Sequence, residues 1–493
     1  MLGKKINKFV IILILALQVV SVNEDKIDIA CASDSDCDPP FLICHAGELK
    51  CKHKSLFPME FLEFIGIILI ALFSAMAAAA GLGGGVIVIP CALLFLGVSV
   101  KEAVALSNIV ILVNAICKFL LGMGRKDPVK KVKTLIDYSF VLLFNPVFVF
   151  SNVIGSMINK MIASGVVLIM LILVIISTII INIRNGIKKY KMETKEAIKA
   201  KERQERKEKG LEAPKDDSEF AGLRNDESDN EHSLNAEFVA EVEIPIPVVT
   251  EEQLEDETLQ RILKFQNKDF DPIKWAFLFT TVIVVILFSF LRGNSQFDSI
   301  AGLEFCGTGY WVLLAVLGVL IAIIGFLSIL YVNREIRIKK QHNQLLKHEM
   351  DYSFGKILMF NGVLFVIGIF SNIMGLGGGI VIFPMFTGMG MQPLVISFSS
   401  LYMVLLSKIA AVLLNIMSGL VIYDKALMLA IVMAIVTTIM IISVNSVLKK
   451  YNRQSIITFI MVFVLIIALC LAPLYAILEG SKSEDFWKFK SFC

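Results

Sequence analysis

The chain carries 493 residues, 56% hydrophobic and 18% charged, with a formal net charge of +3 and a mean hydropathy of +0.75. Charge at that level falls below the ~25% of soluble domains and excludes an ordinary soluble protein; the net charge says little beside its distribution along the chain, and no nucleic-acid partner is expected. The composition reads as an all-α, polytopic membrane protein whose constant partner is the lipid bilayer.

Residues 1–22 read as a signal peptide. Lys4, Lys5 and Lys8 form a basic start, FVIILILALQVV (9–20) a short apolar core, and Ser21 and Val22 supply residues for cleavage. An uncleaved anchor helix is the other reading. Residues 23–58 follow as an extracytoplasmic Cys-rich segment, too short to build a core unaided. Its Cys31, Cys37, Cys44 and Cys51 are expected to form two disulfides in an oxidising compartment, with the connectivity open. Their spacing lacks the C-x-x-C pairs of most zinc modules, so no metal is expected. Cys91, Cys117 and Cys470 fall in apolar runs as buried thiols, and Cys306 and Cys493 are left over.

Apolar runs then fall at about 61–80, 86–97, 102–122, 138–158 and 162–182, in a transmembrane repeat A over 59–185. Residues 186–272 are a cytosolic, charged and largely disordered insertion. Its Lys/Glu-rich start (188–210) extends the preceding span as a solvated helix, and its acidic second part cannot bury enough surface to fold. A plain linker and a docking segment for a cytosolic partner are both open for it. A transmembrane hairpin occupies 273–332, with runs at 273–291 and 311–332, and a cytosolic basic loop occupies 333–355. Repeat B fills 356–478, with runs at 356–374, 380–391, 395–416, 426–447 and 455–477; residues 479–493 are an extracytoplasmic tail.

The same pattern sits at the start of each repeat: GLGGGVIVIP at 81–90 and GLGGGIVIFP at 375–384. Glycine is about 1 kcal/mol worse than Ala inside a helix, so each motif breaks an apolar run. The runs that follow are too short to cross a bilayer and read as half-helices. Pro90 and Pro384 are placed in the first turns of those half-helices, where a missing N–H matters little. The basic stretches 125–133, 184–191, 334–340 and 449–453 share the cytosol if each broken unit returns to its starting side. The two halves then begin on opposite faces, as two inverted-topology repeats, each containing a glycine-broken helix. The amino terminus is extracytoplasmic in that arrangement.

Three readings of the motif are available. A dinucleotide loop fails, because the G-x-G-x-x-G spacing and a preceding strand are missing. Close helix packing through small residues is the second. The third is binding: Gly81, Gly83, Gly84 and Gly85, with Gly375, Gly377, Gly378 and Gly379, leave amides bare at a half-helix N-terminus, which suits an anion. The next helix of each half adds polar groups. Ser107, Asn114 and Lys118 share one face, as do Ser397, Lys408 and Asn415, with Ser400 and Ser407 on an adjacent stripe. Lys408 lies too deep to snorkel easily, whereas Lys118 is within snorkelling reach of the cytosolic end. The expected ligand is a small anion. No cofactor, catalytic constellation or metal site is expected, and the five histidines lie in aqueous segments. Oligomeric state is not legible.

The doubled GLGGG…P pattern resembles the TauE/SafE sulfite exporter family over about 60–185 and 355–478. The resemblance carries over Gly81, Gly83, Gly84, Gly85 and Pro90 with Gly375, Gly377, Gly378, Gly379 and Pro384. It implies a two-repeat, multi-pass carrier of sulfite or related organosulfonates. The membrane expected to hold the chain is a plasma membrane or endomembrane. A receptor that keeps the fold without transporting, and an anion channel, are the rival functions; an enzyme is not expected.

Overall fold

A computed structural model describes residues 30–31, 33, 36–37, 42–45, 49–126, 133–208, 257–266, 268, 270–293, 297–342, 354–388, 391–451, 453–480 and 487–489. The expected signal peptide, 1–22, and the acidic part of the insertion lie outside them. Ahead of the first helix, β1 (Leu42–His45) and β2 (Lys50–His53) pair antiparallel with Cys44 opposite Cys51. Disulfides join Cys31 to Cys44 and Cys37 to Cys51. Cys306 is also disulfide-bonded rather than left over. Of the three free thiols among the described residues only Cys91 is buried; Cys117 is partly exposed and Cys470 exposed, so apolar surroundings did not imply burial within the protein.

Thirteen helices follow among the described residues. The first half holds α1 (Phe61–Ala80), α2 (Gly85–Phe95), α3 (Val100–Gly122), α4 (Tyr138–Met161) and α5 (Ser164–Glu208). Between the halves lie α6 (Glu257–Gln266) and the hairpin α7 (Pro272–Arg292) and α8 (Thr308–Gln341). The second half holds α9 (Phe354–Ile373), α10 (Gly379–Gly388), α11 (Pro393–Met417), α12 (Tyr423–Tyr451) and α13 (Ser455–Gly480). All but α2, α6 and α10 make ten helices long and apolar enough to cross a membrane. The apolar helices α2 and α10, of 11 and 10 residues, reach about half of a ~30 Å hydrocarbon core.

Local chemistry sets these boundaries. Glu63 accepts the Glu60 amide at 3.1 Å to start α1, and Gly81, left-handed at φ 101°, ends it. Ser99 and Glu102 form a reciprocal capping box at the start of α3. Pro90 and Pro384 do not sit in the first turn as expected. The half-helices open at Gly85 and Gly379, so each proline is the sixth residue, its i−4 partner (Val86 or Ile380) lies inside the helix, and that carbonyl loses its bond.

The order helix, glycine turn, half-helix, three long helices occurs twice. Contacts between the halves pair off on exchange: α1 packs on α12 as α9 does on α4, α3 on α12 as α11 on α4, and α2 on α13 as α10 on α5. Helices α3 and α11 pack on each other, as do α5 and α13, each pair being its own counterpart. The contacts made by one half thus recur in the other. Within the hairpin Lys274 of α7 pairs with Glu335 of α8 at 2.9 Å, and the same ammonium reaches α4 by donating to Ser139 Oγ at 2.8 Å. The cysteine-rich segment is tied to the helical body by His53 with Glu102 (2.9 Å) and by the Leu56 amide, which donates to Asp424 (2.6 Å).

Helix α5 runs without a break from its apolar part into the Lys/Glu-rich stretch as far as Glu208. Beyond the apolar segment, Glu193 caps α13: its Oε1 accepts the Gln454 and Ser455 amides at 2.9 and 3.0 Å, and its Oε2 accepts Ser455 Oγ–H at 2.5 Å. Arg453 stacks 4.5 Å from the Tyr190 ring. Glu193→Ala therefore removes a helix cap worth ~1 kcal/mol. Hydrogen exchange should accelerate at the first amides of α13 and leave α1–α3 unchanged; unaltered exchange at residues 455–458 would count against this role.

Candidate functional site

The two glycine turns meet. A Cβ on Gly85 would stand 2.5 Å from Gly375 O, and a Cβ on Gly379 would stand 2.5 Å from Gly81 O. With Gly81 matching Gly375 and Gly85 matching Gly379 in the repeat, the two contacts are one contact seen from either half. Neither Gly85 nor Gly379 has a positive φ, so what the chain needs there is the missing side chain. The packing reading of these glycines is thus a structural fact. Gly83, Gly84, Gly377 and Gly378 are left-handed, at φ 80°, 96°, 78° and 77°, and turn the backbone into the half-helices.

That turning leaves donors without acceptors. The α2 ladder starts with Ile87 and Val88 donating to Gly84 O, and the α10 ladder with Val381 and Ile382 donating to Gly378 O. Among the described residues, the amides of Gly83, Gly84, Gly85 and Val86 meet no acceptor, nor do those of Gly377, Gly378, Gly379 and Ile380. All eight residues are buried. Buried orphan amides are rare in folded proteins, and here they stand at the positive ends of two helix dipoles.

Around the first turn, α3 supplies two clamps. Asn114 Nδ2 donates to Ser74 Oγ (3.0 Å) and Gly83 O (2.9 Å), and its Oδ1 accepts from Thr437 (2.6 Å). Lys118 is the correction to the snorkelling expectation. It is 1% exposed, and its Nζ donates to Ala78 O (2.9 Å), Ala79 O (3.0 Å) and Ser397 Oγ. A cation on the last carbonyls of α1 is what the negative end of a helix dipole favours. All three ammonium protons are used, so Lys118 acts as a cap. Ser107 donates to Gly375 O at 3.0 Å, which ties α3 to the second turn.

Around the second turn, Lys408 is fully buried, with Nζ donating to Asn108 Oδ1 (2.7 Å) and Asn372 Oδ1 (3.0 Å). Asn372 Nδ2 in turn donates to Asn152 O (2.7 Å). Two of the three ammonium protons are engaged; the third has no acceptor, and no carboxylate pairs with either Lys118 or Lys408, among the described residues. The side-chain amide of Asn152 and the hydroxyl of neighbouring Ser371 are buried without partners. Lys408 therefore lies among spare donors and acceptors, unlike Lys118.

The thirteen expected ligand residues thus gather at the crossing of the turns, but in two clusters. Ser397 serves Lys118, while Lys408, on the same helix, serves the second turn. Ser407 donates to Val404 O, the Ser400 hydroxyl has no partner, and Asn415 joins neither cluster. Sequence reasoning missed Ser74, Asn108, Asn152, Asn372 and Thr437. Asn372 three residues before its glycine turn and Asn108 beside Ser107 were available as signals, since polar side chains inside apolar helices require partners.

Comparison with known proteins bears on this arrangement. Residues 264–471 match the family model for "Sulfite exporter TauE/SafE". The chain is similar to "Sulfite exporter TauE/SafE family protein 1" of Arabidopsis thaliana, 22% identical over 392 residues, covering 78% of this chain and 77% of that one. It is similar to family protein 2 of the same plant, 22% identical over 418 residues and covering 83% and 82%. Family protein 5 is 23% identical over 404 residues, covering 80% and 78%. No solved structure matches.

The reciprocal turn contact sets a mutational test. Gly85→Ala and Gly379→Ala should each destabilise by ~1–3 kcal/mol, the range for overpacking, since the obstacle is a backbone carbonyl. Gly355→Ala, where a Cβ meets open space, should leave the unfolding midpoint in detergent unchanged or raised. Equal midpoints for all three variants would refute the contact.

Proposed function

We propose that this chain, a multi-pass membrane protein related to the TauE/SafE proteins over most of its length, is a secondary transporter of sulfite or a related sulfur-containing organic anion. The observation that carries the reading is the set of eight buried amides without acceptors, at two touching helix N-termini, beside a lysine with a spare proton. Backbone amides at a helix N-terminus and an uncompensated ammonium both favour small oxyanions. In this reading Lys408, Asn152 and Ser371 meet the anion together with the amides of the two paired turns, while Lys118, Asn114 and Ser107 hold the turns in place. Gly81 and Gly375 contribute the close approach, and Pro90 and Pro384 the free carbonyl that loosens each half-helix.

Transport follows by alternating access. The halves are read as inverted repeats, with the amino terminus and its disulfides extracytoplasmic after signal removal and the basic loops in the cytosol. Rocking one half against the other separates the glycine turns on one side at a time. The membrane potential alone favours outward movement of a dianion by roughly 4.6 kcal/mol per 100 mV, twice the single-charge value. Export therefore needs no coupling ion.

Purified protein in sealed vesicles with labelled sulfite provides the test. Flux should saturate, and Lys408→Met should lower it by about tenfold or more, the loss expected from removing one charged hydrogen bond of ~1.5–3 kcal/mol. Lys118→Met should lower the unfolding midpoint more than Lys408→Met does. Saturable binding without flux would favour the receptor reading; undiminished flux in Lys408→Met would remove that lysine from the path.

A further inference from the structure

Away from the glycine turns, α4 and α8 line an open-mouthed apolar cavity of about 210 Å³, formed by Ile154, Met157, Ile158, Met161, Trp311 and Leu314. Beside it stands Arg292, the last residue of α7. Its Nη1 lies 3.2 Å from Met157 Sδ, so one methionine touches both the cavity and the guanidinium. The guanidinium carbon is 4.7 Å from the centre of the Tyr310 ring, and Tyr310 in turn meets Trp311 edge-on at 5.4 Å. Arg292 is 7% exposed, its Nε has no acceptor, and no carboxylate pairs with it among the described residues.

This is an unusual way to leave an arginine. A guanidinium stays charged in proteins, and a buried charge without a partner is strongly unfavourable. A sulfur and an aromatic face compensate only part of it. The neighbouring wall is apolar and opens on a surface where Trp311 and Met161 are exposed. Arg, Tyr and Trp together are the composition of a membrane interface. The cavity is smaller than the roughly 300 Å³ at which sites for drug-sized ligands begin, a size that suits a stretch of one hydrocarbon chain.

We infer that this is a lipid site: an acyl chain of a phospholipid with a net negative headgroup enters the cavity, and its phosphate oxygen accepts from Arg292. The anion supplies the missing counter-charge, and the chain covers the apolar wall. A zwitterionic lipid brings its own cation to the same place and gains less. The site is independent of the glycine turns and of what crosses them.

The test uses the full chain, delipidated in detergent and offered equal amounts of phosphatidylglycerol and phosphatidylcholine with identical acyl chains. Native mass spectrometry reads the retained lipid. The unaltered protein should retain phosphatidylglycerol over phosphatidylcholine by about fivefold, the preference that ~1 kcal/mol per basic residue implies. Arg292→Met should abolish the preference, and Leu314→Trp, which fills the cavity and leaves the charge, should lower retention of both lipids. Equal retention by the unaltered protein, or an unchanged preference in both variants, would overturn the proposal. Displacement of phosphatidylglycerol by millimolar inorganic phosphate in Leu314→Trp and unaltered protein alike would show a free-anion site and overturn the lipid assignment.

Discussion

A carbonyl oxygen pressed against a glycine, once from each half, is the constraint on which the rest of the structure depends. Gly85 admits Gly375 O, and Gly379 admits Gly81 O, at distances a methyl group would not tolerate. Because the contact is reciprocal, it fixes how the halves face each other and brings the starts of α2 and α10 together. It also explains why the motif is doubled. A glycine run in one half alone would meet a side chain in the other. Lipid cannot satisfy the backbone of a broken helix, so the break must be buried in protein, and its counterpart break is what buries it.

From that crossing the two lysines take different parts. Both are buried and lack carboxylate partners among the described residues, yet their surroundings differ in one countable respect. Lys118 has three acceptors and closes the end of α1. Lys408 has two, both asparagine oxygens, beside unpaired polar groups on α4 and α9. A saturated ammonium stabilises a helix end; an unsaturated one among spare partners is equipped to take an anion. The proline one turn into each half-helix adds a second asymmetry between rigidity and use, since it weakens the ladder behind the amides instead of reinforcing it.

Much of this architecture was legible in the residue order. Apolar run length alone located the ten long helices to within a few residues, except where α5 and α8 continue past their apolar runs as polar helices. The glycine breaks and half-helices were legible because nothing else in an apolar run looks like GLGGG. What escaped was everything decided by distance in space. Lys118 sits near its helix end in sequence, but a partner far along the chain, Ser397, folds over it. Asn108 and Asn372 come together only because α3 and α9 converge on α11. Cysteine pairing was open until β1 and β2 set the register. The proline position was misjudged because helix starts depend on where left-handed glycines stop, which spacing does not reveal.

The central claim is that amides of the paired glycine turns receive the anion. Protein labelled with ¹⁵N-glycine and titrated with sulfite in a lipid membrane tests it directly, by nuclear magnetic resonance. The account predicts saturable shifts confined to the glycines of the two motifs, absent when Lys408 is replaced by methionine. Saturable transport with every one of those resonances unmoved would contradict it.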